Sequence, residues 1–222
     1  MENRFQAVMF DLDGTLADSI VDIADSMNRT LSHFDFPGHD YDQYKLMVGN
    51  GLKNLTEVAL PEEQRKTETI EKCFRFLMDD YQRNYLNKTK LYDGIAELLD
   101  ALTEKGLKLT VLSNKADEIT SRICEVLLKP WKFEIILGAT DRFSRKPAPD
   151  AALYVAGTLG VKPEQIVYLG DTGIDMKTAN AAGMMSVGVT WGFRSEQELI
   201  DNGAKLIIHH PMELLDVAMD RE

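Results

Sequence analysis

Asp11 and Asp13 stand two residues apart directly after the apolar run Ala7-Val8-Met9-Phe10, and Gly14-Thr15 follows them. Residues i and i+2 of an extended chain face the same way, so the two carboxylates share one side. Close anionic side chains repel unless a cation or a shared proton compensates. Oxygen-only ligands suit Mg²⁺, which takes few carboxylates and leaves room for a substrate phosphate. A carboxylate in such a place is also a nucleophile toward phosphorus. The same residues read equally as a strand ending in a solvated Asp-Gly turn, because short motifs recur by chance.

Three further pieces bear on that choice. Leu109-Thr110-Val111-Leu112 ends in Ser113-Asn114, where Ser113 is either an N-cap of the next helix or a donor to phosphate oxygens at a helix N-terminus. Lys146-Pro147-Ala148-Pro149-Asp150 sets a lysine before a helix that Pro149 helps to start. That lysine is either a solvated charge or an ammonium held by a stiffened backbone. Ile166-Val167-Tyr168-Leu169-Gly170-Asp171 is a second apolar run ending in acid, and Asp175 lies near the start of a helix closed by Gly183. Asp175 favours the helix dipole in any case. Asp171 meets Asp11 if their strands are neighbours.

The elements that must position these groups show in the periodicity. Ile20, Ile23, Ala24, Met27 and Leu31 recur at three and four, giving a helix with one apolar face. Pro37-Gly38 breaks it, Met47–Leu52 interrupts two further helical pieces, and Pro61-Glu62-Glu63 begins a long helix through Ile70, Phe74, Leu77 and Tyr81. From Leu91 onward helices and strands alternate. Helices are expected over Gly94–Lys105, Ala116–Leu128, Asp150–Leu159 and Met176–Ala182, and strands over Leu107–Leu112, Glu134–Leu137, Gln165–Leu169 and Met185–Val189. Such alternation implies a doubly wound, Rossmann-like α/β core with a parallel sheet. The first strand, Gln6–Phe10, is needed in that sheet, so residues 16–87 read as an all-helical insertion into a core of residues 1–15 and 88–222. An insertion after strand one is where a lid belongs.

Composition narrows the classes. The chain has 222 residues and a net charge of −11. That length supports one large or two modest domains, and that charge argues against nucleic acid or an anionic membrane as partner. A phosphate site here must draw its positive potential from local groups. No run approaches the roughly 18 apolar residues of a membrane helix. Met1-Glu2-Asn3-Arg4 opens no signal peptide, and Cys73 and Cys124 read as buried reduced thiols, so a cytoplasmic location is expected. His209-His210 reads as a surface turn before Pro211, and Trp131 and Trp191 as packing residues.

The four pieces, in this order and spacing, resemble the haloacid dehalogenase superfamily of phosphatases over essentially the whole chain. The resemblance implies Asp11 as nucleophile and Asp13 as general acid/base. It implies Thr15, Ser113, Asn114 and Lys146 around the phosphoryl group. Asp11, the Asp13 carbonyl and Asp171 would form a Mg²⁺ site, supported by Gly170 and Asp175. The insertion matches the family's helical cap. Met47-Val48-Gly49-Asn50-Gly51-Leu52 and Thr190-Trp191-Gly192-Phe193-Arg194 are similar to the phosphoglycolate phosphatase branch. Pyrophosphatases, sugar-phosphate phosphatases and phosphosugar mutases share this plan. The expected partner is a small anionic phosphate ester, read by Asn50 and Gly51 with Lys53 as the nearest positive charge, in a monomer or homodimer. A receiver-type phospho-aspartate switch is the alternative of another class; Asp13, which supplies proton chemistry to turn an acyl phosphate over, argues against it.

Overall fold

The computed structural model describes residues 4–219. The chain divides into two units, one of residues 1–17 and 91–222, the other of residues 18–90. The crossings fall at 17/18 and 90/91, a little beyond the expected 15/16 and 87/88. The two-residue strands β2 (Ala17–Asp18) and β3 (Lys90–Leu91) carry the chain through them.

In the first unit β1 (Ala7–Phe10) is buried at every residue. With β4 (Lys108–Ala116), β5 (Phe133–Ala139), β6 (Ile166–Gly170), β7 (Met185–Val189) and β8 (Leu206–Ile208) it forms a six-stranded sheet in the order β5-β4-β1-β6-β7-β8. Every pairing is parallel. Fully apolar strands suit a parallel sheet covered on both faces. The covering helices are α5 (Ile95–Glu104), α6 (Asp117–Leu127), α7 (Asp150–Leu159), α8 (Gly173–Ala181), α9 (Glu196–Asp201) and α10 (Leu214–Met219). Met9 and Tyr168 of the sheet pack with Ala152 and Val155 of α7 and Ala179 of α8 in one core cluster. β1 holds the centre, with Phe10 level with Val111 on one side and Leu169 on the other.

Three local expectations are corrected. β4 does not stop at Leu112 but runs to Ala116, and Ala116 is the N-cap of α6. Ser113 therefore lies within the strand and is neither an N-cap nor a helix-terminal donor. β8 was not expected at all; its three residues are too few to show a period. α8 also begins at Gly173, earlier than Met176, because Thr172 caps it.

The second unit is helical: α1 (Ile20–His33), α2 (Tyr41–Met47), α3 (Leu52–Ala59) and α4 (Thr67–Asn84). The face predicted from spacing, Ile20, Ile23, Ala24, Met27 and Leu31, is buried, as are Tyr44, Leu55, Ile70, Leu77 and Tyr81. Asp22 on α1 is buried too; its Oδ2 accepts from Lys88 N, Thr89 N and Thr89 Oγ1, each at 2.8 Å. Cys73 and Cys124 are buried free thiols. No helix of the described residues is long and apolar enough to cross a membrane.

Candidate active site

The register of the sheet sets the site. Asp11 N donates to Leu169 O at 2.9 Å, so the residue continues the β1–β6 ladder by one step. The backbone then coils tightly, with Thr15, Leu16 and Ala17 N donating to Leu12 O at 3.3, 3.0 and 2.9 Å. Gly14 sits in this coil at φ +84°, and a Cβ there would lie 2.2 Å from Asp171 Oδ2. Only glycine tolerates both conditions, which lets the loop after β1 press against the loop after β6.

Lys146 is buried, and its Nζ donates to Asp175 Oδ1 at 2.6 Å, to Asp11 Oδ1 at 2.9 Å and to Leu112 O at 3.2 Å. Three oxygens match the three donors of an ammonium. Burial works against the charge, but Asp11 and Asp175 outweigh it and hold the Lys146 pKa well above the ordinary lysine range. Asn114 fixes the segment from both sides: Lys146 N donates to Asn114 Oδ1 at 2.9 Å, and Asn114 Nδ2 donates to Lys146 O at 3.1 Å. Asp175 also closes a capping box on α8, where Thr172 Oγ1 donates to its Oδ2 at 2.6 Å. One side chain thus both supports the start of α8 and pairs with the Lys146 ammonium. Gly170 leaves room for it, since a Cβ there would lie 2.2 Å from Asp175 Cβ.

Asp171 is fully buried and accepts from Thr15 Oγ1 at 3.0 Å and Phe193 N at 2.9 Å. Among the described residues no lysine or arginine forms an ion pair with it. Burial, then Asp175 and Asp11, raise its pKa well above the carboxylate range. Burial likewise pushes Asp11 up to about 7 against the opposing pull of Lys146. Oxygens of Asp11, Asp171 and Asp175 lie within 4.8 Å of one another. A buried, all-oxygen, charge-deficient cluster of this kind fits a hard divalent cation, which would restore the anions that burial disfavours.

Asp13 points to a different partner. Lys115 Nζ donates to Asp13 Oδ2 at 2.7 Å and to Oδ1 at 3.0 Å. Lys115 N donates to Ser113 Oγ at 3.2 Å, so Ser113 and Lys115 share the extended tail of β4. Lys115 escaped the sequence reading, because a lysine after an apolar run normally reads as solvated. The one available signal was its place beside Ser113 and Asn114. Trp191 is more than packing, since its Nε1 donates to Thr15 O at 3.0 Å. His210 caps the turn at Pro211–Glu213, in keeping with a surface role.

In the second unit Gly51, at φ +86°, caps α3, with Asn50 just before it. Lys53, expected as the positive charge nearest this loop, is exposed. It pairs with Glu71 of α4, which lies within its reach across the α3–α4 packing.

The haloacid dehalogenase-like hydrolase family matches this chain over residues 8–189. The phosphoglycolate phosphatase of Chromobacterium violaceum is 30% identical over 217 residues, covering 96% of each chain. The phosphoglycolate phosphatase of Escherichia coli is 33% identical, covering 86% of this chain and 84% of its own. A crystal structure from Lactobacillus delbrueckii subsp. bulgaricus superimposes with a TM-score of 0.92 at 28% identity, covering 98% of this chain and 99% of its own.

Proposed function

Because this chain belongs to the haloacid dehalogenase-like hydrolase family, we propose that it is a Mg²⁺-dependent phosphatase that hydrolyses small anionic phosphate monoesters, phosphoglycolate among them, through an aspartyl-phosphate on Asp11. The observation that carries this reading is the Asp11 carboxylate at the end of the central strand, 2.9 Å from the Lys146 ammonium and grouped with Asp171 and Asp175. The names of the relatives support the choice of phosphoglycolate.

A carboxylate oxygen of Asp11 attacks phosphorus in line with the ester oxygen. The phosphorus–oxygen ester bond breaks, its electron pair stays on the leaving oxygen, and Asp13 delivers the proton to it. Water then attacks the aspartyl-phosphate, Asp13 takes the water's proton, and phosphate leaves with Asp11 regenerated. Lys146 balances negative charge at the phosphoryl group, Asn114 holds Lys146 in place, and Ser113 Oγ binds a phosphoryl oxygen. Thr15 and Gly170 act on the carboxylates, the first by donating to Asp171 and the second by making room for Asp175. Asp11, the Asp13 carbonyl and Asp171, supported by Asp175, would hold Mg²⁺, which supplies charge stabilisation of the phosphoryl oxygens. Selection of the leaving group is assigned in part to Asn50, Gly51 and Lys53 of the helical unit.

The test is direct. Asp11→Asn should fold as wild type does and lose turnover by about three orders of magnitude or more, since the nucleophile is gone. Excess EDTA should abolish turnover in the wild type. Acid quenching during turnover should trap phosphate on the wild-type chain in a form that hydroxylamine releases. An active Asp11→Asn enzyme, or full rates in EDTA, overturns the reading.

A further inference from the structure

We infer that Lys115 is a specificity-determining cation, which takes the carboxylate of the substrate's leaving group in exchange for Asp13. The inference rests on the phosphatase reading and adds a residue that selects the leaving group.

Lys115 and Lys146 are the two buried lysines among the described residues, and the Lys115 side chain is only 3% exposed. Taking an ammonium out of water is costly, and a paired carboxylate returns only part of that cost. Stability alone is therefore a weak reason to keep a lysine here. Its place is nonetheless closely built. Thr120 Oγ1 donates to Lys115 O at 3.2 Å, and a Cβ on Gly138 would lie 2.7 Å from that same carbonyl. α6 and β5 thus both hold the segment that aims the ammonium.

Two other lysines already have carboxylate partners. Lys146 uses its three donors on Asp175, Asp11 and Leu112 O. Lys53 pairs with Glu71 at a solvent-exposed place. Lys115 instead contacts both oxygens of Asp13, the group that gives its proton to the leaving oxygen. Whatever leaves must emerge beside Asp13, and hence beside Lys115. In phosphoglycolate a single methylene separates the ester oxygen from a carboxylate. That carboxylate reaches an ammonium placed next to the proton donor and offers it the same ligand type that it gives up. A substrate without a carboxylate makes no such exchange, so Asp13 stays tied to Lys115 while the ester oxygen waits for it. The substrates selected are esters of 2-hydroxy acids.

The comparison substrate is 2-hydroxyethyl phosphate, which has the same chain length and a hydroxymethyl group in place of the carboxylate. Both esters are assayed in Mg²⁺ with wild type and Lys115→Met, each checked for an unchanged melting profile. Should Lys115→Met fail to fold, Lys115→Gln takes its place. The expected result is a fall in kcat/KM on phosphoglycolate at least tenfold greater than the fall on 2-hydroxyethyl phosphate, with glycolate becoming a weaker product inhibitor. Equal losses on both esters make Lys115 a support for Asp13 alone and overturn the inference while the phosphatase reading stands. Unchanged discrimination with no loss overturns it as well. A wild type inactive on both esters overturns the phosphatase reading and this inference together.

Discussion

At Asp11 burial wins over a lysine 2.9 Å away and pushes the carboxyl up to about 7, where an unfolded chain has it near about 3.9. Asp171 moves the same way. The folded, metal-free protein therefore binds more protons than the unfolded chain across that interval. The resulting stability is complete below the unfolded value and is lost as pH rises through the folded one. In chelator, the melting temperature should fall between pH 5 and pH 8, and the fall should be shallower in Asp11→Asn. A divalent cation should raise the melting temperature more at pH 8 than at pH 5; a wild-type slope no steeper than that of the variant would refute this account. The strand-end acids were legible in the sequence because an aspartate closing an apolar run is costly unless something uses it. Lys115 was not legible, since its burial is decided by Asp13, 102 positions away in the chain. The pairing of Lys53 with Glu71 was hidden for the same reason: it depends on how two helices pack, not on either segment alone.

At the level of elements, helices with a clear period and strands with a continuous apolar run were readable, while their ends were not. β4 continues past its apolar residues because Asn114 and Lys115 find polar partners, which hydropathy cannot register. β8 is short and gains its place from β7. Within the helical unit, the best-satisfied buried carboxylate is Asp22, which ties the start of α1 to residues 88 and 89 through three hydrogen bonds. Asp22→Ala leaves a buried Thr89 amide without its acceptor. The expected cost is about 2–4 kcal/mol, from an unsatisfied donor and lost bonds to a charged group. It should show as a lower urea midpoint and as loss of amide-exchange protection at residues 88–89 and along the first turns of α1. Unaltered protection there would mean that the clamp contributes nothing.

Over the whole molecule, the net charge of −11 opposes an anionic substrate, and the site answers with two buried ammonium groups that local carboxylates already neutralise. Long-range repulsion should then slow encounter at low salt. Raising ionic strength shortens the screening length from about 30 Å at 0.01 M to about 8 Å at 0.15 M. With free Mg²⁺ held constant, KM for phosphoglycolate should fall over that range by roughly twofold or more. A rise would show that local attraction dominates instead. The position of β1 has a consequence of another kind, in the birth of the chain. Its partners in the sheet begin at Lys108 and Ile166, so the strand leaves the ribosome well before either of them. At about 5–20 residues per second, translation needs roughly 8–30 seconds to reach its second neighbour. Ala7-Val8-Met9-Phe10 is an apolar, uncharged segment exposed throughout that wait, whereas residues 18–90 are continuous and complete soon after they emerge. The central strand of the finished enzyme is thus the segment of the nascent chain in greatest need of a chaperone's cover.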